Sequence, residues 1–419
     1  MGVVNDAALN ENVTDTTDST FGDGSDLHEG QYFKNKKALH MKLTDVTLAG
    51  NFEFRTTRSS KSLWVIKCVD PNCSWRLRAS QVVEESAFFV IRKYIGIHSC
   101  SLLSRSGSHR QATYVMVGEK VAPQYVGGEK GPTPKDVQTY ARTHLNAKIS
   151  YYKAWKGRKH AQSLIRGSPE QSFHLLLSYF YMLEKVNLRT ITHIEVDGDN
   201  RFKYLFLAFG VAIKGFEFMW KVVGIDGTFL KSQYKGVLLV VTAQDGNGQC
   251  YAITWGIVDS ENEDAWTWFL SKLKEVIGDS DELAFISDMA LSIKKAISNA
   301  FDKAHHGACA WHVSHNVRNK FKCTYIMGSY WNEVNIYRIE NFKGYMIEIS
   351  QRYPRVADYL ENKVGFQKWS RCHFPGLRYN VTTTNMVESL NSMLVTAMEF
   401  PYIALLDVIQ EKMSKWWNE

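Results

Sequence analysis

The 419-residue chain contains no run of 18 or more apolar residues, so no segment reads as a transmembrane helix, which needs about 20. Its N-terminus lacks a basic stretch followed by an apolar one, and nothing there reads as a secretory signal. Cysteine is sparse: seven residues, at 68, 73, 100, 250, 309, 323 and 372. They are too few and too unevenly spaced for a disulfide scaffold and are expected as thiols or metal ligands. No internal repeat is present. The first 30 residues hold seven Asp or Glu and no Lys or Arg. With few large apolar residues among them, they read as a disordered acidic tail.

What is present is an ordinary globular composition, 45% hydrophobic and 22% charged, in a chain long enough for two or three domains. The net charge of +7 is unevenly spread. Between Ser101 and Ser168 there are twelve Lys or Arg against three acidic residues, the pattern of a polyanion-binding surface or of a solvated helix face.

Short alternating runs fill the segment from Gly30 to Ser101. Leu63 to Lys67, Trp75 to Ala79 and Ala87 to Ile91 predict strands of a small antiparallel sheet. Gly127-Gly128 and Gly131-Pro132 mark a linker, and Thr133-Pro134 predicts an N-cap followed by proline at the first helical position. A basic helical region follows, through about Leu183. Further on, Lys221 to Ile225 predicts a strand leading into Asp226. Gly236 to Ala243 is a nearly continuous apolar run, as in a strand buried on both faces. Cys250 to Val258 predicts a third strand, Asp264 to Ile277 a helix, and Leu283 to Ile286 a strand ending at Asp288. Three adjacent strands, a helix and a further strand are the opening of a ribonuclease-H-like α/β domain.

Two constellations carry chemistry. In the first, four residues separate Cys68 from Cys73, one separates His98 from Cys100, and twenty-four lie between the pairs. Two close pairs joined by a hairpin suit tetrahedral zinc, which takes four N or S ligands. In a module of about 70 residues, metal would supply much of the folding free energy. The second is Asp226, Asp288 and Glu388, with the glutamate at the start of a helix. Two aspartates at neighbouring strand ends and a glutamate nearby suit a pair of Mg²⁺ ions about 4 Å apart, one activating the nucleophile and one stabilising the leaving oxygen. Each carboxylate also has a plainer reading. Asp226-Gly227 fits a turn, Asp288 a helix cap, and Asn385 with Glu388 a capping box.

The segments Val65-Ile66-Lys67-Cys68, Cys73-Ser74-Trp75-Arg76-Leu77-Arg78-Ala79 and His98-Ser99-Cys100 resemble the DNA-binding domain of MuDR-type transposases. Asp226-Gly227-Thr228-Phe229-Leu230-Lys231, Tyr234-Lys235-Gly236, Asp259-Ser260-Glu261-Asn262 with Trp266-Thr267-Trp268-Phe269-Leu270, and Asn385-Met386-Val387-Glu388-Ser389-Leu390-Asn391 resemble the transposase domain of plant Mutator-like elements. The resemblance covers roughly residues 30–410. It implies a small β-rich WRKY/GCM-like zinc domain and a DDE domain whose triad is Asp226, Asp288 and Glu388, with Mg²⁺ or Mn²⁺ as catalytic metal. Arg76, Arg78, Arg92 and Lys93 are then candidate contacts to phosphates or bases; as sequence alone, they equally fit exposed strand positions. Cys309-Ala310-Trp311-His312 is similar to the family's Cys-x-x-His element, which is left to bind metal, orient the active site, grip DNA or simply pack. The resemblance further implies double-stranded DNA as partner (terminal inverted repeats and target), a homo-oligomer, no membrane, and the nucleus as location.

The expected division is an acidic tail at 1–30, the zinc domain at 31–105, and a linker and basic helical region at 106–200. A catalytic domain at 201–412 follows, with a helical insertion at about 313–378. Family members usually continue into a Cys-Cys-His motif of SWIM type; none follows Cys372 here, so 413–419 reads as a truncated end. The leading expectation is a transposase. The alternative is a domesticated or truncated one acting as a DNA-binding transcription regulator, like the far-red impaired response proteins of plants. A ribonuclease acting on RNA fits the fold but leaves the zinc module unexplained.

Overall fold

Asn35 caps the first helix by accepting a hydrogen bond from the Ala38 N–H, and from there the chain can be followed in a computed structural model. It describes residues 27–83, 85–100, 110–127 and 131–418; most of the expected acidic tail lies outside the described residues. The chain divides into two compact units, residues 1–166 and 167–419.

The first unit begins with β1 (Tyr32–Phe33), α1 (Lys36–Ala49), β2 (Phe54–Ser59), β3 (Leu63–Cys68), β4 (Arg76–Gln81) and β5 (Phe89–Ile95). The strands form one antiparallel sheet in the order β1-β5-β4-β3-β2. Alternation decides its faces. Trp64, Ile66, Leu77 and Ala79 point inward to meet Leu39 and Leu43 of α1, with Trp75 beside them, while Lys67, Arg76 and Arg78 point outward. Three helices follow, α2 (Tyr114–Val121), α3 (Pro134–His144) and α4 (Tyr151–Arg166). Thr133 and Asp136 close the expected cap of α3 as a reciprocal capping box with Pro134 inside it. Helices α2 and α4 cross at glycines: a Cβ on Gly118 would stand 2.7 Å from the Gly157 carbonyl oxygen.

The second unit opens with α5 (Pro169–Val186), β6 (Ile191–Val196), β7 (Phe202–Ala208) and α6 (Gly210–Phe216). It continues through β8 (Val222–Phe229), β9 (Val237–Gln244), β10 (Cys250–Val258), α7 (Glu263–Ile277), β11 (Ala284–Ser287), α8 (Leu291–Ala300) and β12 (His305–Ala308). The seven strands lie in the order β12-β11-β8-β9-β10-β7-β6. Strands β8, β11 and β12 run parallel, and the remaining pairings are antiparallel. Residues of β9 alternate between two cores, Leu238 and Val240 in one and Leu239 and Val241 in the other. That double burial is why the segment reads as a nearly continuous apolar run.

Helices α9 (Ala310–Phe321), α10 (Met327–Asn335), α11 (Ile339–Arg352), α12 (Pro354–Asp358) and α13 (Phe366–Trp369) build a separate aromatic core around Tyr330, Phe342 and Trp369. The chain then returns to the sheet as α14 (Asn385–Leu394) and α15 (Tyr402–Asn418). One expectation is corrected. Asp226 does not follow a strand but lies within β8, paired with Val240 of β9, because cross-strand bonding to β9 carries the ladder on to Phe229. Among the described residues, no helix is long and apolar enough to cross a membrane.

Candidate functional site

Cys68 ends β3, Cys73 lies in the turn before β4, and His98 and Cys100 follow β5, so antiparallel pairing brings the two pairs to one end of the sheet. Their ligand atoms all lie within 4.8 Å of one another. Cys68 Sγ is 4.0 Å from Cys100 Sγ, and His98 Nδ1 is 3.2 Å from Cys73 Sγ and 3.6 Å from Cys100 Sγ. Ideal bond lengths to zinc in a tetrahedron give edges of about 3.6–3.8 Å, so three thiols and one imidazole here fit that ion. The His98 ring is held by stacking on Trp75, at 5.5 Å and 9°, and by an edge contact to Phe52. Burial pushes the Cys68 thiol up to about 12. Burial also acts on Cys73, but the backbone N–H groups of Trp75, Cys100 and Ser99 outweigh it and bring this thiol down to about 7. Zinc takes the thiolate form, and this cluster already supplies one thiol prepared for it.

The second cluster is built on parallel register. Ala284 pairs with Val222 and Ile286 with Gly224. The same offset of 62 places Asp288, one residue past β11, level with Asp226 in β8. Asp226 Oδ1 accepts the Gly227 N–H at 2.9 Å. Asp288 Oδ1 accepts the Ala290 N–H at 2.9 Å, so it also makes the turn before α8. Burial pushes Asp226 up to about 6; the Gly227 N–H and His312 act against that, and the charges of Asp288 and Glu261 add to it. Beneath Asp288, the Ser287 hydroxyl donates to the Asp288 carbonyl and meets His306 Nε2, both at 2.8 Å. Burial holds His306 down to about 3, so it stays neutral.

Glu388 lies in the first turn of α14 and is exposed. The helix reaches the sheet beside Asp226: a Cβ on Gly224 would meet Met386 Cε at 3.0 Å and Val387 Cγ2 at 3.1 Å. The capping-box reading of Asn385 and Glu388 is corrected, because the N-cap is Thr384, with no side-chain cap bond. Among the described residues, the zinc-type cluster is the group of three or more potential ligands already drawn together. The three carboxylates are spaced more widely.

Cys309 and His312 sit at the start of α9. Cys309 is fully buried, and its sulfur accepts bonds from Thr384 N and Thr384 Oγ1, each at 3.4 Å. Burial alone would raise this thiol, but hydrogen bonds from His312 and Thr384 outweigh it and hold it below the ordinary range. Contact with the Cys309 sulfur holds His312 up, against burial, and the charges of Asp226 and Asp288 add to that. Among the described residues, no third ligand joins Cys309 and His312 in a metal-type cluster.

Two family models match the chain. One, described as MuDR family transposase, covers residues 24–90. The other, described as MULE transposase domain, covers residues 222–316. Both matched segments are those of Mutator-like transposases. The first match contains Cys68 and Cys73, and the second contains Asp226, Asp288, Cys309 and His312; His98, Cys100 and Glu388 lie outside both. The chain is also similar to Protein FAR-RED IMPAIRED RESPONSE 1 of Arabidopsis thaliana, at 22% identity over 152 residues. That match covers 36% of this chain and 18% of the length of the plant protein.

The expected DNA-contacting residues Arg76, Arg78, Arg92 and Lys93 are all exposed. Arg92 is partly committed, donating to Ser80 Oγ at 3.0 Å and to the Gln81 carbonyl at 3.3 Å. The register adds cations that the sequence did not single out. Arg55 pairs with Lys67 and Lys67 with Arg76, a row of three across β2, β3 and β4. Arg58, Val65, Arg78 and Lys93 form the adjacent row. Like charges directly opposite one another destabilise a sheet, and a bound polyanion relieves that cost. Glu261 was also missed as a site residue, although Asp259-Ser260-Glu261-Asn262 carries part of the resemblance. Its carboxyl lies 3.3 Å from where a Cβ on Gly227 would stand. Burial and then the Asp288 charge hold its pKa up.

Proposed function

We propose that this protein is a DDE-type DNA transposase that binds terminal inverted repeats and performs metal-dependent strand cleavage and transfer. The observation that carries this reading is the levelling of Asp226 and Asp288 on neighbouring parallel strands, with α14, the helix that bears Glu388, packed on β8 through Met386 and Val387. The strand order, with β8 between an antiparallel β9 and a parallel β11, supports a ribonuclease-H-like fold. The Cys₃His end of the first sheet supports a WRKY/GCM-like zinc domain.

Carboxylate oxygens are the ligands that Mg²⁺ and Mn²⁺ prefer, and Asp226, Asp288 and Glu388 would hold them. Bound ions would activate water or a 3′-hydroxyl and stabilise the departing oxygen. Asp226 and Asp288 supply fixed negative charge from the sheet. Glu388, exposed on the first turn of α14, would supply the third carboxylate. Zinc held by Cys68, Cys73, His98 and Cys100 would fix the sheet that presents the cation rows to phosphate. Work on chromosomal DNA would call for nuclear residence, and pairing of two transposon ends would call for a homo-oligomer.

The test is Mg²⁺- or Mn²⁺-dependent cleavage of terminal-repeat duplex by the purified chain, beside Asp288→Ala and Glu388→Ala. Cleavage by the parent alone supports the enzyme. Zinc-dependent binding without cleavage would favour the second reading, a domesticated DNA-binding regulator, which the similarity to the plant protein supports.

A further inference from the structure

Helix α4 carries five Lys or Arg and no Asp or Glu. Its buried stripe is Ala154, Gly157 and Ala161, the face that crosses α2 at Gly118. Tyr152, Lys156 and Lys159 follow at i, i+4 and i+7, on the side opposite that stripe. Each lysine on this row is braced by a ring. Lys156 Nζ stands 4.7 Å from the Tyr152 centroid and 5.5 Å from Tyr114, and Lys159 Nζ stands 4.3 Å from Trp155. Tyr152 and Trp155 stack on each other at 6.0 Å and 17°.

Other cations of the same unit are already paired with acids. Lys37 bonds Glu119 at 2.7 Å, and Lys120 bonds Asp45 at 2.8 Å. Among the described residues, no acidic side chain pairs with Lys153, Lys156 or Lys159. The face is therefore positively charged, held in shape by the rings beneath it, and without an internal counter-charge. A polyanion with regularly spaced charge complements it, and lysine contacts phosphate as a point charge with no base preference.

We propose that the Lys153, Lys156 and Lys159 face of α4 is a second DNA-contacting surface, separate from the zinc-bearing sheet, that grips duplex phosphates without reading sequence. This rests on the DNA-binding reading above and adds to it the element that supplies sequence-independent affinity. It predicts that losing these lysines weakens binding by a similar factor on every duplex.

The experiment uses the full zinc-loaded chain and a fluorescein-labelled 30-base-pair duplex of mixed sequence, with anisotropy titrations across a range of NaCl concentrations. The variant is Lys153→Gln, Lys156→Gln and Lys159→Gln together, with the corresponding Lys→Arg triple variant beside it. The Gln variant is expected to bind about 10- to 100-fold more weakly at low salt, with a log Kd–log salt slope flatter by about two to three. The Arg variant keeps the parental slope. An unchanged slope in the Gln variant, with the parent still binding duplex, overturns this proposal and leaves the zinc-module reading standing. Loss confined to a single-stranded RNA of the same length overturns it equally. A parent that binds no duplex at all sinks the DNA-binding reading and this proposal together.

Discussion

Cys309 Sγ accepts hydrogen bonds from both the backbone N–H and the hydroxyl of Thr384, each at 3.4 Å. This ties the start of α9 to the residue that begins α14, across a span of 75 residues. His312 faces Asp226 and Asp288, while Thr384 leads into the helix that carries Glu388. The Cys-x-x-His pair thus links the start of α14, by Cys309, to the charges of Asp226 and Asp288, which act on His312. Cys309→Ala is expected to lower single-turnover cleavage by about 10- to 100-fold, the scale of a misplacement near 1 Å, with duplex binding unchanged. Thr384→Val should act similarly, and the double variant should be no worse than either alone. Full additivity would refute the link.

Arg378 is the lock of the segment that returns the chain to the sheet. It is 2% exposed, and its guanidinium donates at 3.1 Å to the carbonyls of Val381, Lys368, Ala308 and Thr382. Burial pushes its pKa down to about 10, which leaves it charged at neutral pH. Arg378→Leu strands several buried carbonyls and should cost about 2–5 kcal/mol in urea unfolding. Arg378→Lys should recover little of that loss, because an ammonium lacks the planar five-donor fork.

Asp226 gives the metal-free protein a defined pH dependence. Its folded pKa, about 6, is raised above the ordinary 3.8, so burial disfavours the charged form. The folded state therefore has its full stability below about pH 3.8 at this site and loses it as pH rises through about 6. The shift of about two units is worth about 3 kcal/mol at most. Asp226→Asn should be more stable than the parent at pH 8 without divalent cations and equal to it near pH 4. Added Mn²⁺ should stabilise the parent and not the variant. A variant less stable at pH 8 would contradict this account.

Chelation of zinc should unfold the Cys₃His end of the first sheet and weaken duplex binding to what α4 alone supplies, because ligand binding there is part of folding. Thiol titration offers a direct check. Cys68, Cys73 and Cys100 should become reactive on chelation, while buried Cys309 stays protected. Cys73→Ser should mimic chelation.

Glu333, on α10, is fully buried, with no hydrogen-bond partner for either carboxyl oxygen. Burial, with the Glu348 charge, pushes it up to about 8. Its raised pKa means that stability is intact below about pH 4.5 and is lost as pH climbs through 8. Glu333→Gln should be the more stable protein at pH 9 by several kcal/mol and close to the parent at pH 5, as urea unfolding at both pH values would measure.

Local chemistry was legible without coordinates wherever the deciding contacts are close along the chain. Thr133-Pro134 announced the α3 cap, the nearly continuous apolar run from Gly236 to Ala243 announced a strand buried on both faces, and the paired spacing of Cys68, Cys73, His98 and Cys100 announced a four-ligand cluster. Strand β12, His305–Ala308, was not legible, since four residues with two histidines and a glycine carry no apolar pattern. Nor was the extension of β8 past Asp226, which depends on its partner β9 rather than on its own residues.

The sequence by itself determined the residue types that can hold metal, the family resemblance and the order of most strands and helices. Tertiary structure alone decided that Asp288 stands level with Asp226, that Glu261 lies against Gly227, and that Arg55, Lys67 and Arg76 line up across three strands. It also decided that Cys309 holds Thr384. The physical reason is range: periodicity and capping are written within a few residues, whereas register and the return of a long insertion are set by burial between segments far apart in the chain.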